Sequence, residues 1–142
     1  MDSKLIKAIE DNTNEHLLNF TPAKIKNLNL KILMQLELTD TNIIKDMMQK
    51  LNNYKYVDEM NELKYGTYIR WIPLDNINNI HLTKGAIFCE IKITDDGVYL
   101  ICKNFGNSTK HFRLKFDECL VFQKLTEQEL ILLNAIAELG NL

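Results

Sequence analysis

The chain has 142 residues, 46% of them hydrophobic and 25% charged, with a formal net charge of -2, which suits one soluble globular domain with a core of its own. That charge excludes a bulk electrostatic drive toward nucleic acid or acidic membranes, so any such binding has to be local. No apolar run reaches membrane-spanning length and "MDSKLIKAIEDN" lacks a basic-then-apolar leader, so the expectation is a cytoplasmic protein made without a signal peptide.

The first third predicts helices. "SKLIKAIEDNTNEHLLNF" sets Leu5, Ile9, Leu17 and Phe20 near helical spacing, with an Asn-rich middle at residues 12–14 placed to break it. Thr21 as N-cap and Pro22 at the first helical position open a second helix striped by Ile25, Leu28, Ile32 and Leu36. Thr39, Asp40 or Thr41 caps a third, in which Ile43, Ile44, Met47, Met48 and Leu51 recur at helical spacing.

From Tyr54 the period changes to two. "TYIRWI" alternates Thr67, Ile69 and Trp71 with Tyr68, Arg70 and Ile72, and Pro73 ends the pairing because it has no N–H to give. "KGAIFCEIKI" and "GVYLICKN" flank "TDDG", which predicts a tight hairpin turning on Asp96 and Gly97. In that register Ile91 faces Cys102 and Cys89 faces Asn104, leaving the two cysteines as diagonal neighbours too distant for a disulfide. "KHFRLKFDECLVFQK" puts Phe112, Leu114 and Phe116 on one side and His111, Arg113 and Lys115 on the other, with Asp117 and Glu118 interrupting.

"LTEQEL" is a helix start: Thr126 caps, Glu129 reaches back, and Leu125 staples onto Leu130, with Gly140 as the stop. Leu130, Ile131, Leu132, Leu133, Ala135, Ile136, Ala137 and Leu139 leave this helix almost no polar face. Either it is sandwiched between the sheet and the N-terminal helices, or it carries an oligomer contact through Leu133 and Ile136.

Together these elements predict an α+β fold: N-terminal helices, a curved antiparallel sheet of four or five strands forming an SH3-like or half-open small barrel, and a C-terminal apolar helix. Residues 1–53 would be a helical segment packed on the sheet and residues 54–142 a β-rich module with the last helix, within one compact domain.

Motifs for chemistry are missing. Cys89, Cys102 and Cys119 are odd in number, lack CxxC spacing and sit in apolar strand-like segments, which predicts buried free thiols in a reducing compartment. His16, His81 and His111 carry no local catalytic signature, and no phosphate loop, dinucleotide fingerprint, metalloprotease helix or calcium loop occurs. No catalytic residue, cofactor or metal is therefore expected; a metal held by Cys89, Cys102, His81 and His111 could be assembled only by the fold.

One constellation remains. If the strands alternate as written, one sheet face carries Tyr68, Arg70, Phe88, Lys92, Tyr99, Lys103, His111, Arg113 and Lys115. Residues 64–124 hold nine Lys or Arg against six Asp or Glu, a balance of +3 in a chain that is acidic elsewhere. Such a face suits a non-enzymatic interaction module that binds a protein partner through it or through the C-terminal helix; a nucleic-acid binder that stacks bases and tracks phosphates is the alternative, and a small enzyme without a recognisable motif comes third. It is also the ordinary dress of a solvated strand face, with Phe88 and Tyr99 under a helix. Arg70 is then either the anchor of a binding face or the partner of a carboxylate or of the Tyr68 ring.

In "YKYVDEMNELKYGTYIRWIPL", "LTKGAIFCEIKI", "ICKN" and "FDECLVFQKLTEQELILL", the chain resembles small uncharacterised proteins encoded by large nucleocytoplasmic DNA viruses of eukaryotes. The likeness covers about residues 54–133 and rests on the cluster Gly66, Tyr68, Ile69, Arg70 and Trp71, on Gly85, and on the "FQKLT" junction. It implies a viral origin and action in the host cytoplasm or viral factory, with packaging in the virion as a further option, and it brings no activity with it.

Overall fold

Side-chain caps mark the starts of three of the α-helices. A computed structural model describes residues 3–106 and 110–140, and its first helix, α1 (Ser3–Glu10), stops where the Asp11 carboxylate takes the Thr13 N–H at 2.9 Å. The chain then tightens into a 3-10 helix over Asn12–Leu17, so the Asn-rich stretch does break the helix; short polar side chains there compete for backbone donors. The Thr21 hydroxyl accepts from Lys24 N at 3.2 Å and starts α2 (Pro22–Met34), and the Asp40 carboxylate accepts from Asn42 N at 2.9 Å and starts α3 (Thr41–Lys50).

The chain divides into two compact units, residues 1–55 with 125–142 and residues 56–124. In the helical unit the last helix, α4 (Glu127–Leu139), opens with the reciprocal box foreseen: Glu129 N donates to Thr126 Oγ1 at 3.2 Å and Thr126 N to Glu129 Oε1 at 2.8 Å. It ends on Gly140 with φ of -67°, so the glycine stops the helix without using left-handed backbone. Ala8, Leu17, Ile25, Leu125, Leu132 and Leu133 form the core of this unit, with Leu5, Phe20, Leu130 and Ile136 packed against it. Two buried amides tie its connections, Asn14 Nδ2 donating to Ala8 O and Asn29 Nδ2 to Tyr54 O, each at 2.9 Å.

The sheet has six strands: β1 (Tyr54–Tyr56), β2 (Tyr68–Pro73), β3 (Ala86–Thr94), β4 (Gly97–Lys103), β5 (His111–Lys115) and β6 (Cys119–Lys124). Four or five were expected; the short β1 and the split of the last strand region by the 3-10 turn Phe116–Glu118 make up the difference. Their order is β1-β6-β2-β3-β4-β5, antiparallel, curved and not closed, which makes the molecule α+β. The core face is built from Val57, Leu63, Ile69, Ala86, Phe88, Leu100, Cys102, Leu114 and Val121.

Two features pin the strands. Gln123, buried on β6, accepts from Lys64 N at 2.7 Å and Thr67 Oγ1 at 2.8 Å and donates to Glu62 O at 2.9 Å, fixing the segment that leads into β2. Gly85, with φ of +96°, lets β3 start beside β2, where an added Cβ would lie 2.5 Å from Ile69 O.

The hairpin between β3 and β4 exists, but its register differs from expectation. Thr94 pairs with Gly97, so the turn residues are Asp95 and Asp96, and Ile91 faces Leu100 while Cys102 faces Phe88. The positive φ falls on Gly97 alone, at +133°, after the turn. A turn with negative φ at both central residues followed by a glycine replaces the two-residue turn on Asp96 and Gly97.

Two stability outcomes follow. Gly85→Ala should lower unfolding free energy by about 2 kcal/mol or more, against about 1 kcal/mol for Gly106→Ala, which has φ of +95° but open space around it; equal losses in urea titrations would remove the role of the Ile69 contact. Leu133 is 0% exposed, so Leu133→Asp should cost about 4 kcal/mol and melt the helical circular-dichroism signal, whereas a folded variant altered only in oligomeric state would refute its place in the core.

Candidate interaction surface

The ladder partners show which side chains share a face. Tyr68, Ile87, Lys103 and His111 form one row across β2 to β5; Glu90, Ile101 and Arg113 form a second across β3 to β5; Lys92, Tyr99 and Lys115 form a third. Alternation along β2 adds Arg70 to the face of Tyr68. Eight of the nine residues expected on the aromatic and basic face are therefore brought together.

Phe88 is the exception and is corrected. It is 1% exposed, lies in the sheet core and stacks on Tyr65 with ring centroids 5.5 Å apart. The reason is a β-bulge between Phe88 and Glu90, which leaves Cys89 without its own ladder partner. One extra residue shifts the alternation, so Phe88 and Ile91 both face the core while Glu90 and Lys92 face out. Of the two settings open to Leu133, core or oligomer contact, it takes the core, and Ile136 packs against the same helical core.

Among the described residues, Arg70 is neither paired with a carboxylate nor stacked on Tyr68. Its Nε donates to Thr83 O at 2.9 Å, and Thr83 also holds Trp71 by two bonds, Thr83 N to Trp71 O at 3.0 Å and Trp71 N to Thr83 Oγ1 at 3.2 Å. Half-buried, Arg70 ties β2 to the segment before β3.

The rings of the face are engaged by its own cations. Arg113 sits 4.4 Å over Tyr99, whose hydroxyl donates to Asp96 at 3.0 Å, and Lys124 sits 5.4 Å over Tyr68. Phe105 meets Tyr68 edge to face at 5.1 Å. Half-buried Lys115 approaches the exposed Glu118 at 3.8 Å, a long pair of little energetic weight. Lys92, Lys103 and His111 have no ion pair or hydrogen bond from their side chains among the described residues. Lys92 and His111 instead border a shallow concavity of about 480 Å³ with Cys89, Glu90 and Ile101.

Lys124 and Phe105 were not foreseen. The alternation of "CLVFQK" would have placed Lys124 on the face of Phe122, but only the pairing of β6 with β2 brings it to Tyr68. Phe105 lies in a connection and carries no periodic signal.

All three cysteines are free thiols. Burial pushes Cys102 up to about 12, with Cys89 and Cys119 adding to it, and burial pushes Cys119 up to about 11, with Asp75 and Glu118 adding to it. Both therefore stay protonated at neutral pH and are poor nucleophiles and ligands there. Among the described residues, no group of three or more His, Cys, Asp or Glu could hold a metal ion, and no helix is long and apolar enough to cross a membrane. No known family, no curated protein and no solved structure matches the chain.

Raised thiol values fix a direction with pH. The folded values exceed the ordinary 9.0, so the stability tied to neutral thiols is complete below pH 9 and is lost as pH climbs toward 11 and 12. In native protein at pH 8, Cys102 should resist a disulfide dye for as long as the chain stays folded and react at once in denaturant; mass mapping that found native Cys102 labelled as fast as the unfolded thiol would overturn its burial.

Proposed function

We propose that the protein is a non-enzymatic interaction module that binds an acidic segment of a protein partner on the outer face of its sheet. The observation that carries this is the alignment of Lys92, Lys103, His111, Arg113 and Lys115 on one face of three adjacent strands, with Lys92, Lys103 and His111 unengaged. Carboxylates supply the complementary charge, and such pairing sets orientation and partner choice more than raw affinity. A protein partner is favoured over nucleic acid because base stacking needs open ring faces. Arg113 already covers a face of Tyr99, and Lys124 a face of Tyr68. The resemblance to proteins of large DNA viruses supports extending the proposal to a viral origin, with action in the host cytoplasm or viral factory.

Fluorescence anisotropy with labelled deca-glutamate and a labelled single-stranded oligonucleotide, at two salt concentrations, tests the reading. Deca-glutamate should bind more tightly than the oligonucleotide, in a salt-sensitive manner, and Arg113→Glu should weaken it about tenfold. Tighter binding of the oligonucleotide would replace the reading with nucleic-acid recognition, and binding of neither probe would remove the face as a docking surface.

A further inference from the structure

We propose that the acidic segment docks in extended form along β5 and pairs with it as an additional strand. The proposal rests on the reading of the sheet face above and specifies how that face is reached. Among the described residues, β5 ends the strand order and has only β4 as neighbour. Its five residues, spanning about 17 Å at strand rise, leave one line of backbone donors and acceptors without a ladder partner in the sheet.

Side-chain alternation on β5 states what such a strand must look like. His111, Arg113 and Lys115 point to the outer face, while Phe112 and Leu114 point to the core face, where Phe112 meets Trp71 with ring centroids 5.8 Å apart. Side chains of an added strand would stand about 5 Å from these, directly across the pair. Acidic residues at alternate positions then lie beside the three basic ones, and apolar residues between them extend the layer of Phe112 and Leu114. The fitting partner is an extended segment alternating acidic and apolar residues.

A second copy of the chain is the obvious competitor for an open strand edge, and the charges reject it. Two β5 strands paired antiparallel about Arg113 would set Arg113 against Arg113, with a Lys115 on either side of that pair. Like charges directly opposite are destabilising. Basic residues on an edge strand guard against indiscriminate pairing, and the same residues admit a strand of opposite charge, which makes the guard a selector. At the other end of the order, β1 has three residues, and its one Lys or Arg, Lys55, is buried, so that edge offers neither length nor charge.

Backbone pairing is separable from charge attraction with a labelled nine-residue peptide alternating Glu and Val and two N-methylated versions of it. One version is methylated on the Glu residues and the other on the Val residues. A strand presents the N–H groups of one alternate set to each side, so only one set faces β5. The parent peptide should bind and slow amide exchange in β5, one methylated version should lose about tenfold or more in affinity, and the other should stay within about twofold of the parent. Equal binding by both methylated versions, or equal loss in both, would overturn strand addition. If the parent retains its binding in either case, the charged face stands without it. A parent peptide that fails to bind would overturn both, and one that binds equally well to Arg113→Glu would overturn the charge selection.

Discussion

Regular alternation fails once along β3, between Phe88 and Glu90, and the sorting of the sheet into two faces depends on that failure. Strand geometry sends neighbouring side chains to opposite sides. Phe88 and Ile91 are three apart and would be divided by an unbroken strand. The extra residue Cys89 lets both join the core with Leu100 and Cys102 opposite them. The same residue leaves Glu90 and Lys92 on the outer side, in the rows of Arg113 and of Tyr99 with Lys115. Core packing and surface charge are thus set by one irregularity, because burying a lysine or exposing a phenylalanine at this place would cost several kcal/mol.

The bulge works because the rest of the register is fixed from outside β3. Gln123 satisfies both ends of its amide on the segment before β2, and β2 pairs with β6 over five residues. Gly85 then sets where β3 begins against Ile69. With β2 held on one side and the hairpin to β4 on the other, β3 cannot slide to absorb its extra residue, so Cys89 is forced out of the ladder. Arg70 belongs to the same frame. Its guanidinium bonds the Thr83 carbonyl, which makes the most conspicuous cation of the sequence a brace for the face.

Local chemistry was legible, and pairing between distant strands was not. Thr21, and Thr126 with Glu129, declare their helix starts because a cap is a contact within three residues, and Asp40 is one of three adjacent cap candidates for another. Parity along β4 and β5 placed Tyr99, Lys103, His111, Arg113 and Lys115 correctly, since neither strand is interrupted. Phe88 was misplaced because a bulge leaves no mark in a hydrophobic pattern that still alternates on each side of it. The "TDDG" turn was one residue out because Gly97 supplies positive φ either inside the turn or just after it. Lys124 was missed because its place beside Tyr68 follows from β6 lying next to β2, a contact some fifty residues apart in sequence. Leu133 was open between core and oligomer because an apolar helix looks the same in both settings.

Net charge is a poor guide to a surface of this kind. The chain carries -2 overall, yet neighbouring strands stand about 4.8 Å apart, well inside the screening length of about 8 Å at physiological salt. Lysines and arginines in adjacent rows therefore act on a close-lying strand together, while charges several screening lengths away contribute little. Such a field is short in range and weak in solution, so it guides a partner only once the partner lies against the sheet. In the proposed complex, hydrogen bonds to the edge of β5 would then supply the directionality that screened charges lack, and the order of events would be contact, alignment by charge, and pairing of backbone.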